Sequence, residues 1–170
     1  MPRGRRILVL GCSGSGKSTF AVKLQALTGL PLYHLDNIWW KPDRTHITRE
    51  DFDRELCSLL SGPEWIIDGD YSRTYETRIR ASDTVIFLDY SEETCLDGIT
   101  CRIGSVRPDI PWTETELDPQ LEALVRQFHS RNRPELLDLM NRYADREWIV
   151  FKDRESADSW LRALADEPTA

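Results

Sequence analysis

No run of the 170-residue chain approaches the roughly 20 consecutive apolar residues of a membrane-spanning helix. Met1 to Arg6 passes directly into a short apolar run, without the apolar centre of a signal peptide. Those two absences predict a soluble, cytoplasmic protein. Positive charge is scarce as well. With 22 Lys and Arg against 29 Asp and Glu the net charge is −7, which sets the surface against nucleic-acid backbones and anionic membranes. An anion held by this chain must therefore meet a local cluster of donors. Cysteine is sparse and unpatterned: Cys12, Cys57, Cys95 and Cys101 make no Cys-x-x-Cys pair and have no histidine at zinc-site spacing. A reduced compartment fits that usage. Internal repeats, low-complexity tracts and linkers are missing too, so residues 1–170 are expected to form one domain with one site.

What is present alternates. Near-continuously apolar runs occur at Ile7 to Leu10, Leu32 to Leu35, Trp65 to Ile67, Thr84 to Leu88 and Trp148 to Phe151, as in strands covered on both faces. Helix-compatible segments separate them, which is the pattern of a parallel sheet wrapped by crossover helices. Lys17 to Leu27 is expected to stop at Gly29, and Thr48 to Asp51 reads as a capping box ahead of Phe52 to Leu60. Ser91 is expected to cap a helix reaching about Ile103, and Ser156 a final helix through Leu164. Two connections break the alternation: residues 37–47, with Trp39, Trp40 and Pro42, and residues 104–117, with Pro108, Pro111 and Trp112. Long irregular connections inside a compact domain tend to carry function.

Gly11-Cys12-Ser13-Gly14-Ser15-Gly16-Lys17-Ser18 completes the pattern G-x-x-x-x-G-K-[ST], after an apolar run and at the start of a helix, the context that this P-loop motif requires. Gly11, Gly14 and Gly16 free the backbone so that consecutive N–H groups, those of Ser13 and Ser15 among them, converge on phosphate oxygens. The helix start adds partial positive charge. Lys17 is expected to reach the β- and γ-phosphates, Ser18 to coordinate magnesium, and Thr19 to support the loop or the α-phosphate. The expected cofactors are ATP and Mg2+.

A P-loop serves switches, hydrolases and kinases alike. The chain has no Asn-Lys-x-Asp for guanine and no apolar strand ending in the Asp-Glu pair of hydrolytic ATPases. Two carboxylates instead follow apolar runs: Asp36 after Leu32 to Leu35, and Asp68 after Trp65 to Ile67. Doubly wound sheets bind ligands at such strand ends. Asp36 is the candidate for acceptor contact or general base, and Asp68 for holding the waters of magnesium, with the two roles exchangeable. Arginines cluster near the irregular connections, at Arg73, Arg102, Arg107, Arg126, Arg131 and Arg133, as dispersed phosphoryl charge demands. Trp39, Trp40 and Tyr71 form a surface for a planar acceptor or plug a core edge.

At these residues the chain resembles the adenylate-kinase-related P-loop kinases over nearly its whole length. Their strand ending Asp-Gly-Phe-Pro-Arg-Thr is similar to WIIDGDYSRT, Trp65 to Thr74, which matches at Asp68, Gly69, Arg73 and Thr74 with one extra residue between. That match implies that Arg73 binds the acceptor's phosphate or the transferred group. VIFLDYSEETCLDGITCRI, Val85 to Ile103, resembles the strand and helix before the lid of those kinases. It implies Arg102 at the edge of a short lid over about 104–117, and Arg126 with Arg131 or Arg133 as arginines that engage the triphosphate. A narrower resemblance is to the DNA topology modulation proteins, FlaR-like, on Tyr33-His34-Leu35-Asp36 with Trp40, and on Trp65 to Arg73 with Asp70 in place of Asn. Residues 36–62 lack the Thr-Gly-Asp-like entrance of adenylate kinases and supply aromatics, Lys41 and Arg44 instead. A carboxylate ending the second strand is similar to nucleoside, shikimate and gluconate kinases, whose acceptors are hydroxyls.

The resemblance implies an α/β P-loop NTPase fold: a three-layer sandwich around a five-stranded parallel sheet of order 2-3-1-4-5, with an acceptor-side insertion at about 37–62 and the short lid. The expected function is transfer of the ATP γ-phosphoryl to a small hydroxyl- or phosphate-bearing acceptor, by a monomer or homodimer without direct nucleic-acid contact. A regulatory ATP-binding protein or slow ATPase associated with DNA topology is the alternative.

Overall fold

The five apolar runs become strands β1 (Arg6–Gly11), β2 (Leu32–His34), β3 (Trp65–Asp68), β4 (Thr84–Leu88) and β5 (Glu147–Phe151) in a computed structural model that describes residue 2 and residues 4–166. All pairings are parallel and the order is β2-β3-β1-β4-β5. The expected sheet is therefore present. Ile7, Leu8, Val9 and Leu10 of the central strand are 0% exposed, because helices cover both faces. At the sheet edges, β2 and most of β5 are only partly buried.

The helices are α1 (Lys17–Thr28), α2 (Leu35–Trp39), α3 (Arg49–Leu60), α4 (Tyr75–Ala81), α5 (Glu92–Cys101), α6 (Pro119–Phe128), α7 (Asn132–Arg142) and α8 (Arg154–Asp166), with one 3-10 turn at Ser72–Thr74. Gly29, at φ 71°, ends α1 with its N–H on Gln25 O. Thr48 Oγ1 accepts from Asp51 N at 3.1 Å, and Ser91 Oγ from Thr94 N at 3.2 Å, so both expected caps are made.

Three expectations need correction. The last helix starts before Ser156, whose N–H instead donates to Asp153 Oδ1 at 2.7 Å. An anionic acceptor at that end also complements the helix dipole. Residues 37–47 are not all irregular: α2 runs to Trp39, and a Trp40–His46 bridge closes a tight hairpin with Arg44 at φ 64°. Finally, Leu35 opens α2 rather than ending β2, because its buried side chain packs beneath the loop at Gly69. Asp36 consequently stands in the first turn of a helix, two residues beyond the strand end.

Candidate active site

Residues 12–16 carry the chain from β1 into α1 at the carboxyl edge of the sheet. Gly14 adopts φ 82° and has no room for a side chain, since a β-carbon there would lie 2.0 Å from Cys95 O of α5. Gly98, also on α5, is equally crowded, with its β-carbon position 1.9 Å from Gly14 O. Loop and helix thus meet backbone to backbone. Arg154 Nη2 donates to the same Gly14 O at 3.0 Å, which fixes the loop from a second side.

A cleft of about 950 Å³ opens before the loop. Ser13, Gly14, Gly16, Lys17, Ser18 and Thr19 line it, and so do Asp36, Asp68, Arg102 and Arg131. Gly11 and Ser15 lie off its wall; the Ser15 hydroxyl is buried without a hydrogen-bond partner among the described residues. Lys17 Nζ folds back to Cys12 O at 3.0 Å, and Ser18 Oγ donates to Asp109 Oδ2 at 2.7 Å. A P-loop ammonium that, among the described residues, bonds to a loop carbonyl, and arginines on the cleft wall, fit a triphosphate. Among the described residues no three His, Cys, Asp or Glu side chains are grouped to hold a metal.

The two candidate carboxylates have different surroundings. Tyr71 OH donates to Asp36 Oδ1 at 2.7 Å. Burial pushes the Asp36 pKa up, against the opposing effects of the Tyr71 bond and the Lys17 charge. Asp68, 2% exposed at the end of β3, pairs with His34 Nδ1 at 2.7 Å. Burial disfavours the His34 imidazolium, yet the Asp68 carboxylate prevails and raises its pKa.

Tyr71 is aimed by Arg78, a side chain that sequence reasoning missed. Arg78 is 0% exposed. Its guanidinium donates to Thr74 Oγ1 at 2.9 Å, Gly69 O at 2.8 Å, Asp70 O at 2.6 Å and Tyr71 O at 3.2 Å. Burial lowers its pKa to about 10. These bonds hold Tyr71 in the left-handed region at φ 32°. Asp70 is fixed separately, by Tyr75 OH and by Asn132 Nδ2 at 3.1 Å.

Arg73 lies away from the cleft. The 3-10 turn after Tyr71 carries it outward, where both Nη atoms pair with Asp53 of α3 at 3.0 and 2.6 Å. There it lines a cavity of about 240 Å³ with Trp39, Arg49, Phe52 and Tyr71. Arg126 pairs with Glu122 and Glu92, and Arg133 with Asp89, so Arg131 is the post-lid arginine on the cleft wall.

Residues 104–117 fold across the cleft. Arg102 and Arg107 share Glu114, at 2.8 and 2.9 Å. Asn37 Nδ2 donates to Pro108 O at 2.7 Å, and Trp40 meets Trp112 edge-on with centroids 5.7 Å apart. Trp39 instead stacks on His46 at 4.4 Å and abuts Phe52, so it plugs a core edge. Asp109 was also missed; its place after Arg107 and Pro108 in an irregular connection was the available signal.

No protein-family model and no curated protein matches the chain. Solved structures do. A shikimate kinase from Bacteroides thetaiotaomicron superposes with a TM-score of 0.62 at 14% identity, over 94% of this chain and 95% of that one. A gluconokinase from Sinorhizobium meliloti gives 0.59 at 16% identity, over 97% and 91%. A sugar kinase from Janibacter gives 0.51 at 23%, over 96% and 99%. At these identities the likeness shows a shared fold, that of the P-loop kinases.

Proposed function

We propose that the chain is a small-molecule kinase that transfers the γ-phosphoryl of ATP to an acceptor hydroxyl seated against Asp36. The observation that carries the reading is one cleft lined both by the P-loop and by Asp36, with Asp36 Oδ1 engaged by Tyr71 at 2.7 Å. The loop amides from Ser13 to Thr19, shaped by Gly11, Gly14 and Gly16 over the buried Ser15, hold the phosphates together with Lys17, Arg102 and Arg131. Ser18 binds Mg2+, and Asp68 orients its waters. The nucleotide with its cation supplies an activated phosphoryl group whose charge is partly neutralised. Asp36 then accepts the proton of the acceptor hydroxyl as the hydroxyl oxygen bonds to the γ-phosphorus, the bond to the β–γ bridging oxygen breaks and ADP leaves. Arg73, beside the smaller cavity that Tyr71 also borders, contacts the far end of the acceptor.

The structural neighbours support a hydroxyl acceptor, since they are named for shikimate, gluconate and sugars. The FlaR-like resemblance rests on sequence patterns alone, and the structural comparisons do not reach that subgroup. Among the described residues no helix is long and apolar enough to cross a membrane. We take the chain to be a cytoplasmic kinase domain, with its acceptor-side insertion at 37–62 and its lid at 104–117.

Purified protein with ATP and Mg2+ is to be screened for ADP release against nucleosides, nucleotides, sugars and hydroxy acids. The reading expects acceptor-dependent turnover that Asp36→Asn abolishes while ATP binding persists. Tight ATP binding without turnover on any acceptor would shift the assignment to a regulatory ATP-binding protein.

A further inference from the structure

Asp109 joins the lid segment to the phosphate loop. It is 2% exposed, accepts the Ser18 hydroxyl at 2.7 Å, and is gripped by Arg107 Nε at 3.0 Å. The group is therefore a buried carboxylate ion-paired with a guanidinium. Its partners, a guanidinium and a P-loop hydroxyl, are donors of the kind that a phosphate recruits.

We propose that Asp109 is a specificity-determining residue that makes nucleotide binding depend on a divalent cation. A metal-free triphosphate brings its full negative charge to a wall that already holds Asp36, Asp68 and Asp109. A triphosphate carrying a divalent cation presents less negative charge to that wall. The Ser18 hydroxyl and the Asp109 carboxylate are, moreover, oxygen donors of the type a hard cation takes. Arg107 keeps Glu114 as a partner at 2.9 Å when Asp109 is engaged elsewhere, and Glu114 is itself paired at 2.8 Å with Arg102 at the end of α5, so the lid stays anchored.

This inference rests on the reading that the P-loop binds a triphosphate, and the experiment separates the two. Equilibrium binding of a fluorescent ATP analogue is measured on the full chain, in excess Mg2+ and in EDTA, for wild type, Asp109→Asn and Asp109→Ala. Wild type should bind at least about tenfold more weakly in EDTA. Both variants should gain about tenfold or more in EDTA, the scale of removing one like charge at close range in a medium of effective dielectric about 20. The ratio between the two conditions then contracts. Asp109→Asn preserves shape, and circular dichroism confirms its fold. A wild-type ratio near one, or an unchanged ratio in the variants, overturns the role of Asp109 while leaving the kinase reading intact. Absence of nucleotide binding by wild type in both conditions overturns both.

Discussion

Replacing Gly98 with alanine tests whether α5 holds the phosphate loop in place. The added β-carbon would lie 1.9 Å from Gly14 O and 2.8 Å from both Gly14 C and Arg154 Nη2. Ordinary contact requires about 3.5 Å, so helix and loop must part by about 1.5 Å. Two terms oppose each other. Alanine is favoured over glycine inside a helix by about 1 kcal/mol. Overpacking costs about 1–3 kcal/mol, and here the upper part of that range applies because the closest atom, Gly14 O, is backbone and has no rotamer to change, although the Arg154 side chain can move.

The clash wins by about 1–2 kcal/mol, which for a chain of this size lowers Tm by about 2–8 °C. Nucleotide binding suffers more. A loop displaced by more than an ångström loses at least one charge-assisted amide bond to phosphate, and ATP affinity falls about tenfold or more. Calorimetric melting and titration with ATP and Mg2+ measure the two effects. Thr100→Ala, at an exposed site of the same helix, should leave ATP affinity unchanged. A Gly98→Ala variant with unchanged or raised Tm and intact ATP affinity would refute the reasoning, because helix propensity would then outweigh a contact that does not hold the loop.

Asp36→Asn should lower acceptor phosphorylation about 10²- to 10⁴-fold, with ATP affinity nearly unchanged. Burial raises the folded pKa of Asp36, so its contribution to stability falls as pH rises from about 4 through that raised value. Urea denaturation should accordingly show the Asn variant gaining on wild type between acid and neutral pH. Asp89, 6% exposed, is paired with Arg133 and Lys152 and titrates below its ordinary range. Asp89→Ala should remove about 1–3 kcal/mol at pH 7, discounted for partly exposed partners, and the deficit should vanish as pH falls through the depressed pKa. Arg78→Met leaves the carbonyls of Gly69 and Asp70 without the guanidinium that they accept from, while Tyr71 O keeps Thr74 N and Oγ1. It should cost about 3 kcal/mol or more in urea melts, with amide exchange accelerated around that loop.

What could be read in advance was whatever the chain encodes locally. The core strands are apolar throughout because both their faces are covered, and the P-loop specifies its own turn with neighbouring glycines. The caps at Thr48 and Ser91 act within three residues. Side-chain direction was another matter. Arg73 was aligned to a motif, yet the positive φ of Tyr71 and the turn that follows send it to Asp53. Gly98 reads in sequence as a weak point of a helix, and only the approach of Gly14 O explains it. Arg78 and Asp109 belong to no motif; packing brings Arg78 to its carbonyls and Asp109 to the Ser18 hydroxyl, beside its near neighbour Arg107.

The same distinction orders the two carboxylates, which the sequence left exchangeable. Both stand at the carboxyl edge of the sheet, so position does not separate them; partners do. Asp68 is bonded to an imidazole whose pKa it raises, an arrangement suited to holding the waters of a cation. Asp36 has a neutral phenol for a partner and a basicity raised by burial, which suits a group that accepts a proton. Environments that differ in this way favour Asp36 as the base and Asp68 as the metal-side carboxylate. The difference arises from His34 and Tyr71, two residues with no catalytic signature in sequence, each placed by an element other than the one that carries its carboxylate.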